Sequence, residues 1–300
     1  MIPPLPVSII GGYLGAGKTT LINHMLRHAN GQRLAILVNE FGELPIDADL
    51  IEAQSDDLIS IAGGCICCSF GSDLSAALMQ LAALSPRPDH VVIEASGVAL
   101  PGAIAHSVAI LDGFAVNGIS VLADAAQIQT LRQDEYMGDT VQRQLSDADL
   151  IVLTKCDVTP DDQVANTAQA LGTEFPNAQV LRCAHANIPN DVILGVPLAG
   201  LGGKSQHHAN FNYDSVVLEF TASVDVQDLQ KHLLNPTLGV IRAKGFVPDI
   251  SGRMALVQIV SKRCDISFVD HTGPPALVCI GVPPRFNADG LQRLQQTLCP

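Results

Sequence analysis

Two short segments carry the side chains whose types and spacing could do chemistry. Gly11–Thr20 reads GGYLGAGKTT, in which Gly12, four intervening residues, then Gly17, Lys18 and Thr19 form the phosphate-loop pattern. About fifty residues further on, Gly63–Cys68 reads GGCICC and places thiols at Cys65, Cys67 and Cys68. The first pattern suits a nucleoside triphosphate. Gly12, Gly15 and Gly17 allow the backbone to curl so that its N–H groups converge on phosphate, and a helix N-terminus adds about half a positive charge. Gly12, Gly15, Ala16, Gly17, Lys18, Thr19 and Thr20 are the expected phosphate contacts, with Lys18 reaching the β- and γ-phosphates and Thr19 ligating magnesium. The second pattern suits a soft metal.

The elements around these segments must position them. Apolar runs at Val7–Ile10, Leu34–Val38, Leu58–Ile61, His90–Glu94, Gly118–Ala123, Leu150–Thr154 and Ala178–Arg182 predict strands covered on both faces. Helical patterns such as Lys18–His28 and Ser72–Leu84 alternate with them. The expected fold is therefore α/β: a P-loop NTPase domain with a doubly wound, mostly parallel sheet over residues 1–203. Residues 204–212, in a Gly-rich polar stretch, read as a linker. Residues 213–300 read as a small α+β domain, with strands at Ser215–Thr221, Gly239–Phe246, Met254–Ser261, Ile266–Asp270 and Ala276–Gly281 and helices at Val226–Leu234 and Ala288–Leu298.

Val7–Ile10 and the apolar stripe Leu21, Ile22, Met25 and Leu26 give the phosphate loop its strand-to-helix context. The strand His90–Glu94 ends in a carboxylate and is followed by Ala95-Ser96-Gly97. Glu94 is a candidate for the magnesium shell, directly or through water, and the Gly97 amide for the γ-phosphate. Thr154-Lys155-Cys156-Asp157 then falls at a strand end, where open α/β sheets bind ligands. Asp157 can accept from the ring N–H and exocyclic amine of guanine, whereas adenine presents a lone pair there; discrimination of about 10⁴ is attainable. The usual guanine motif begins with Asn, and this chain has Thr154. Cys183-Ala184 follows the next strand and is expected to offer a backbone amide to the base.

Gly63-Gly64 permits a tight backbone before the thiols, and Cys65 and Cys67 can face the same way in an extended chain. A closed structural zinc site needs four ligands, generally from two separated pairs, so one compact group suits an open site completed by a carboxylate, histidine or water. A redox pair or buried thiols are the bland alternatives. Between the two motifs lies Asn39-Glu40-Phe41-Gly42-Glu43, then Pro45-Ile46-Asp47. This stretch is a candidate sensor of γ-phosphate and magnesium, with Glu40 and Glu43 as metal ligand or as catalytic groups positioning water; a loop of solvated acids is the plain alternative.

Net charge is -13 over 300 residues, which disfavours phosphate backbones, so no nucleic-acid partner is expected. No apolar stretch reaches the length of a membrane span, and no membrane partner is expected. The N-terminus lacks a basic region before its apolar run and reads as the first strand rather than a signal peptide. Eight cysteines without a secretory signal suggest reduced thiols and a cytoplasmic location.

GGYLGAGKTT, NEFGE, GGCICC, VVIEASG and LIVLTKCD, in this order and spacing, resemble the CobW-type metal-associated GTPases, in the larger group that holds the hydrogenase and urease nickel-insertion GTPases. Arg242-Ala243-Lys244-Gly245-Phe246 matches a C-terminal signature of the same family. The resemblance implies a metal-insertion GTPase with a CxCC site at Cys65, Cys67 and Cys68, joined by Glu40. Its cofactors would be GTP or GDP, Mg2+, and zinc or cobalt. Its partner would be a client metalloprotein or a metal-cofactor biosynthesis enzyme, with room for a homodimer. Relatives with a His-rich stretch differ from this chain, whose only adjacent pair is His207-His208, read as linker composition. Competing readings are a metal-independent ATPase or small-molecule kinase, a non-enzymatic nucleotide-sensing scaffold, and a thiol-redox protein. Slow intrinsic hydrolysis is expected, since no arginine finger or water-orienting Gln stands out.

Overall fold

The computed structural model describes residues 3–39, 59–63, 72–196, 207–208 and 213–299. The chain divides into two units, Met1–Leu194 and Gly195–Pro300.

The first unit alternates strand and helix: β1 (Leu5–Gly12), α1 (Lys18–Arg27), β2 (Leu34–Asn39), β3 (Ile59–Gly63), α2 (Ser72–Ala82), β4 (His90–Glu94), α3 (Pro101–Ala109), β5 (Phe114–Asp124), α4 (Ile128–Arg132), α5 (Gly138–Ser146), β6 (Leu150–Thr154), α6 (Asp161–Glu174), β7 (Gln179–Arg182) and α7 (Asn190–Leu194). Among the described residues the sheet has the order β3-β2-β4-β1-β5-β6-β7, and every neighbouring pair is parallel. The runs HVVIE and LIVLT are buried along their whole length, as strands sandwiched between helices must be. Helix α1 turns Leu21, Ile22 and Met25 inward. Val7, Ile9, Leu37, Leu78, Val91, Ile93, Val121 and Ile151 lie in the buried interior.

From β1 the chain builds one side of the sheet with β2 and β3, returns through β4, and then crosses to β5, β6 and β7. The winding direction reverses beside β1, so a crevice opens at the carboxyl end of that strand. The phosphate-loop sequence begins there.

The strands expected from sequence are present. The main difference is β5, which starts at Phe114 rather than Gly118. Polar Asn117 interrupts the apolar pattern, and the β1–β5 register shifts there, with Val7 opposite Val116 and Ser8 opposite Gly118. The Asn117 amide is buried and donates to the Leu194 carbonyl (2.7 Å) and the Ser8 hydroxyl (3.0 Å). A bulge thus places a polar residue where the apolar signal would otherwise continue.

The second unit contains β8 (His207–His208), β9 (Tyr213–Glu219), α8 (Val226–Leu233), β10 (Val240–Pro248), β11 (Met254–Val260), β12 (Arg263–Val269), β13 (Ala276–Gly281) and α9 (Ala288–Leu298). These strands form an antiparallel sheet in the order β12-β11-β10-β13-β9-β8. Asp225 caps α8 by accepting from the Gln227 and Asp228 amides, and Asn287 caps α9 through the Gly290 amide. Leu229 and Leu233 of α8 and Leu291 of α9 join Val216, Leu218, Ala243, Val257, Ile259 and Leu277 in one core. His207 and His208, expected in the linker, pair instead with Asp214 and Tyr213 as a short edge strand. The rest of 204–212 lies outside the described residues. No helix among the described residues is long and apolar enough to cross a membrane.

Candidate nucleotide site

The backbone of the phosphate loop is shaped by its glycines. At Gly12, φ is 131° and a Cβ would sit 2.4 Å from the Leu122 carbonyl oxygen on β5, so close approach of two strands demands glycine. Gly15 and Gly17 have φ of 73° and 97°, and a Cβ at either would meet nothing within 4 Å. Both therefore border open space, which leaves room for a phosphate chain. Gly17 is the N-cap of α1, whose first turn has no acidic residue and no side-chain cap. Its N-terminal amides are left to an anion.

Lys18 is 9% exposed, and its Nζ donates to the carbonyls of Gly12 (2.9 Å) and Tyr13 (3.4 Å). The cation thus folds back over the loop that it opens. The Thr19 hydroxyl donates to Glu94 Oε1 at 3.4 Å. Strand pairing sets Glu94 opposite Ile10, at the mouth of β1. A hydroxyl and a buried carboxylate side by side at the start of α1 and the end of β4 are hard oxygen donors, the set that Mg2+ takes.

The loop after β4 leans on the phosphate loop. The Ala95 amide donates to Ile10 (2.8 Å), and a Cβ at Gly97 would clash with Leu14, at 2.4 Å from Cδ2 and 3.0 Å from the backbone nitrogen. Gln144 of α5 is 1% exposed and donates to the carbonyls of Gly97 (3.1 Å) and Ala99 (2.8 Å). The sequence reading passed over Gln144. Its signal was a polar residue among Val141 and Leu145 on the inward face of a helix, which only a buried hydrogen-bonding task explains.

On the base side, Thr154 donates its hydroxyl to the Ala16 carbonyl (2.8 Å) and lies 3.3 Å from that of Ala123. The residue standing where the guanine motif has Asn is thus engaged with the phosphate loop. Lys155 adopts φ 56°, and its Nζ lies 2.8 Å from Asp124 Oδ2. Asp157 accepts from the His185 amide through Oδ1 and approaches His185 Nδ1 through Oδ2, each at 3.3 Å.

Cys183 does not have the expected role. Its amide donates to Leu153 (2.8 Å) and belongs to the sheet ladder, so it is not offered to a base. Burial pushes its thiol up to about 12, and burial likewise raises that of Cys156, so both stay protonated at neutral pH. His185, two residues beyond, borders Asp157 instead. Glu94 and Thr154 end β4 and β6, Gly97, Lys155 and Asp157 follow those strands, and Lys18 and Thr19 open α1 after the loop that leaves β1, so all of them gather at the carboxyl ends of β1, β4 and β6. Glu40, Glu43, Cys65, Cys67 and Cys68 lie outside the described residues. Among the described residues no group of three or more His, Cys, Asp or Glu side chains could hold a metal ion.

Comparison with known proteins agrees with this geometry. Residues 6–182 match the CobW/HypB/UreG nucleotide-binding domain. The chain is 30% identical to the zinc chaperone CobW of Pseudomonas aeruginosa, over 92% of this chain and 87% of that one. It is 30% identical to the zinc chaperone YjiA of Escherichia coli, over 81% and 82% respectively. It is 29% identical to the zinc-regulated GTPase metalloprotein activator 1 of Dictyostelium discoideum, over 68% of this chain and 50% of that one.

Proposed function

Because this chain belongs to the CobW/HypB/UreG family, we propose that it is a GTP-dependent zinc metallochaperone, which hydrolyses GTP to GDP and phosphate and couples the cycle to metal delivery. The observation that carries the nucleotide half is the open space beside Gly15 and Gly17 with the Lys18 ammonium folded over the same loop, and Asp157 beyond the end of β6 in the same sheet. The relatives named as zinc chaperones support zinc as cargo; cobalt, with similar donor preferences, is the alternative.

Phosphate oxygens replace the Gly12 and Tyr13 carbonyls as partners of Lys18, and the amides of the loop and of the α1 N-terminus hold the remaining charge. Thr19 and Glu94 would hold Mg2+, which supplies charge neutralisation across the β- and γ-phosphates when bound. Water attacks the γ-phosphorus and the bond to the β–γ bridging oxygen breaks. The water's protons pass to the phosphate product and to solvent, and GDP leaves with its new terminal oxygen anionic. Gln144 keeps the Gly97 peptide in place while this happens, because both carbonyls flanking that turn accept from its amide. Glu40 or Glu43 positions the water. Cys65, Cys67 and Cys68, with Glu40, carry the transition metal, and the Asn39–Asp47 stretch senses the γ-phosphate, so hydrolysis releases metal to a client metalloprotein or a metal-cofactor biosynthesis enzyme.

Nucleotide titrations test the assignment. Asp157→Asn should lower GTP affinity at least about tenfold while ATP remains a poor ligand, because the carboxylate that pairs with two guanine donors is gone. A wild-type protein that binds ATP as tightly as GTP would refute it and favour the ATPase or kinase reading.

A further inference from the structure

The base side of the site poses a problem that the phosphate side does not. Thr154 has one hydroxyl, and its proton is committed to Ala16. Recognition of guanine therefore falls on Lys155 and Asp157. Lys155 is a long, flexible side chain, 42% exposed, on a backbone at φ 56°. Left to itself it would sample many rotamers, and ordering it on binding would cost affinity.

Asp124, the last residue of β5, answers this. It is 5% exposed and sits opposite Thr154 in the β5–β6 register. Its Oδ1 accepts from the Ala126 amide at 2.9 Å, which fixes the carboxylate plane, and its Oδ2 lies 2.8 Å from Lys155 Nζ. The Ala125 amide donates to the Thr154 carbonyl (3.0 Å), tying the two strand ends together. A buried, doubly anchored carboxylate thus holds an ammonium whose methylene stem stays half-exposed at the mouth between β5 and β6. A charge-assisted contact of this kind is stronger than a neutral one.

We propose that Asp124 is a positioning residue for base recognition: it pins the Lys155 ammonium so that the apolar stem is preorganised as a surface for the purine ring, beside the carboxylate of Asp157. This rests on the guanine-nucleotide reading above and adds to it a residue outside the TKCD segment. Asp124 touches no nucleotide itself, so its effect must pass through Lys155.

A double-mutant cycle on the full chain tests this, with GDP, ADP and inorganic tripolyphosphate titrated by calorimetry. Asp124→Asn keeps the size and the Ala126 acceptor but removes the charge facing Lys155. It should weaken GDP binding about tenfold and leave tripolyphosphate binding unchanged. Lys155→Met should weaken GDP by a similar factor, and the double variant by no more than the worse single one. Asp124→Glu, which retains the charge, should recover most of the affinity. Multiplying single-variant losses, an Asp124→Asn protein that binds GDP like wild type, or an equal loss of tripolyphosphate binding would overturn the proposal. A wild-type protein with no preference for GDP over ADP would overturn the guanine reading alone, and the cycle would still decide whether Asp124 acts through Lys155.

Discussion

The Thr154 hydroxyl at the end of β6 donates to the Ala16 carbonyl in the phosphate loop across 2.8 Å, although the two residues are 138 apart in sequence. One bond therefore joins the strand end proposed to read the base to the loop proposed to hold phosphate. Ala16 is 4% exposed, so its carbonyl has little recourse to water.

Thr154→Val keeps the side-chain shape and removes that donor. Leaving a buried carbonyl unsatisfied should cost about 1–3 kcal/mol of stability. GDP affinity should fall as well, because the loop loses its tether. Chemical denaturation and GDP titration on the same variant measure both; an unchanged protein in both assays would show that the contact is incidental.

Gln144 makes a different prediction. Gln144→Met retains length and apolar bulk but leaves the Gly97 and Ala99 carbonyls without their donor. Single-turnover hydrolysis should slow while GDP affinity stays near wild type, since Gly97 is assigned to the γ-phosphate. An equal loss of GDP binding would place Gln144 in general support of the fold.

The strands of the first unit were legible because each is a short, continuous apolar run, and the phosphate loop because glycine, lysine and threonine at fixed spacing have few other uses together. Gln144 and Asp124 were not legible. Each is defined by what it touches across 31 to 47 residues of sequence, and a single sequence does not show such partners. Of the Cys183-Ala184 pair expected to offer an amide to the base, the Cys183 amide is spent on Leu153, which a single sequence does not show for the same reason. Asn117 hid the start of β5 because a bulge lets a polar side chain enter the interior.

Lys244 on β10 gives the second unit a pH signature. Burial, and then the neighbouring Arg242, lower it from its ordinary value to about 8. In the unfolded chain it would hold its proton to about 10.4. Below pH 8 both states are protonated and the folded state bears the full penalty. Between about pH 8 and 10 the unfolded state binds more protons, so this group makes stability rise with pH. The shift corresponds to about 3 kcal/mol. Lys244→Met should raise stability at neutral pH and remove this upward slope, compared with wild type in denaturant melts at pH 7, 8, 9 and 10. A parallel slope in the variant would show that Lys244 is not its source.

The proposed coupling of nucleotide state to metal binding is read out by the zinc affinity of the apo, GDP-bound and GTP-analogue-bound protein under anaerobic conditions. Zinc should bind more tightly to the GTP-analogue state, and zinc should tighten the analogue by the same factor; coupling of about 1–3 kcal/mol is typical. Affinity should rise with pH, because thiolate ligands lose protons on binding. Cys65→Ala with Cys67→Ala should abolish zinc binding and the coupling while leaving metal-free GTP binding near wild type. Equal zinc affinity in all three states would rule out the coupling and leave a GTPase that carries metal without gating it.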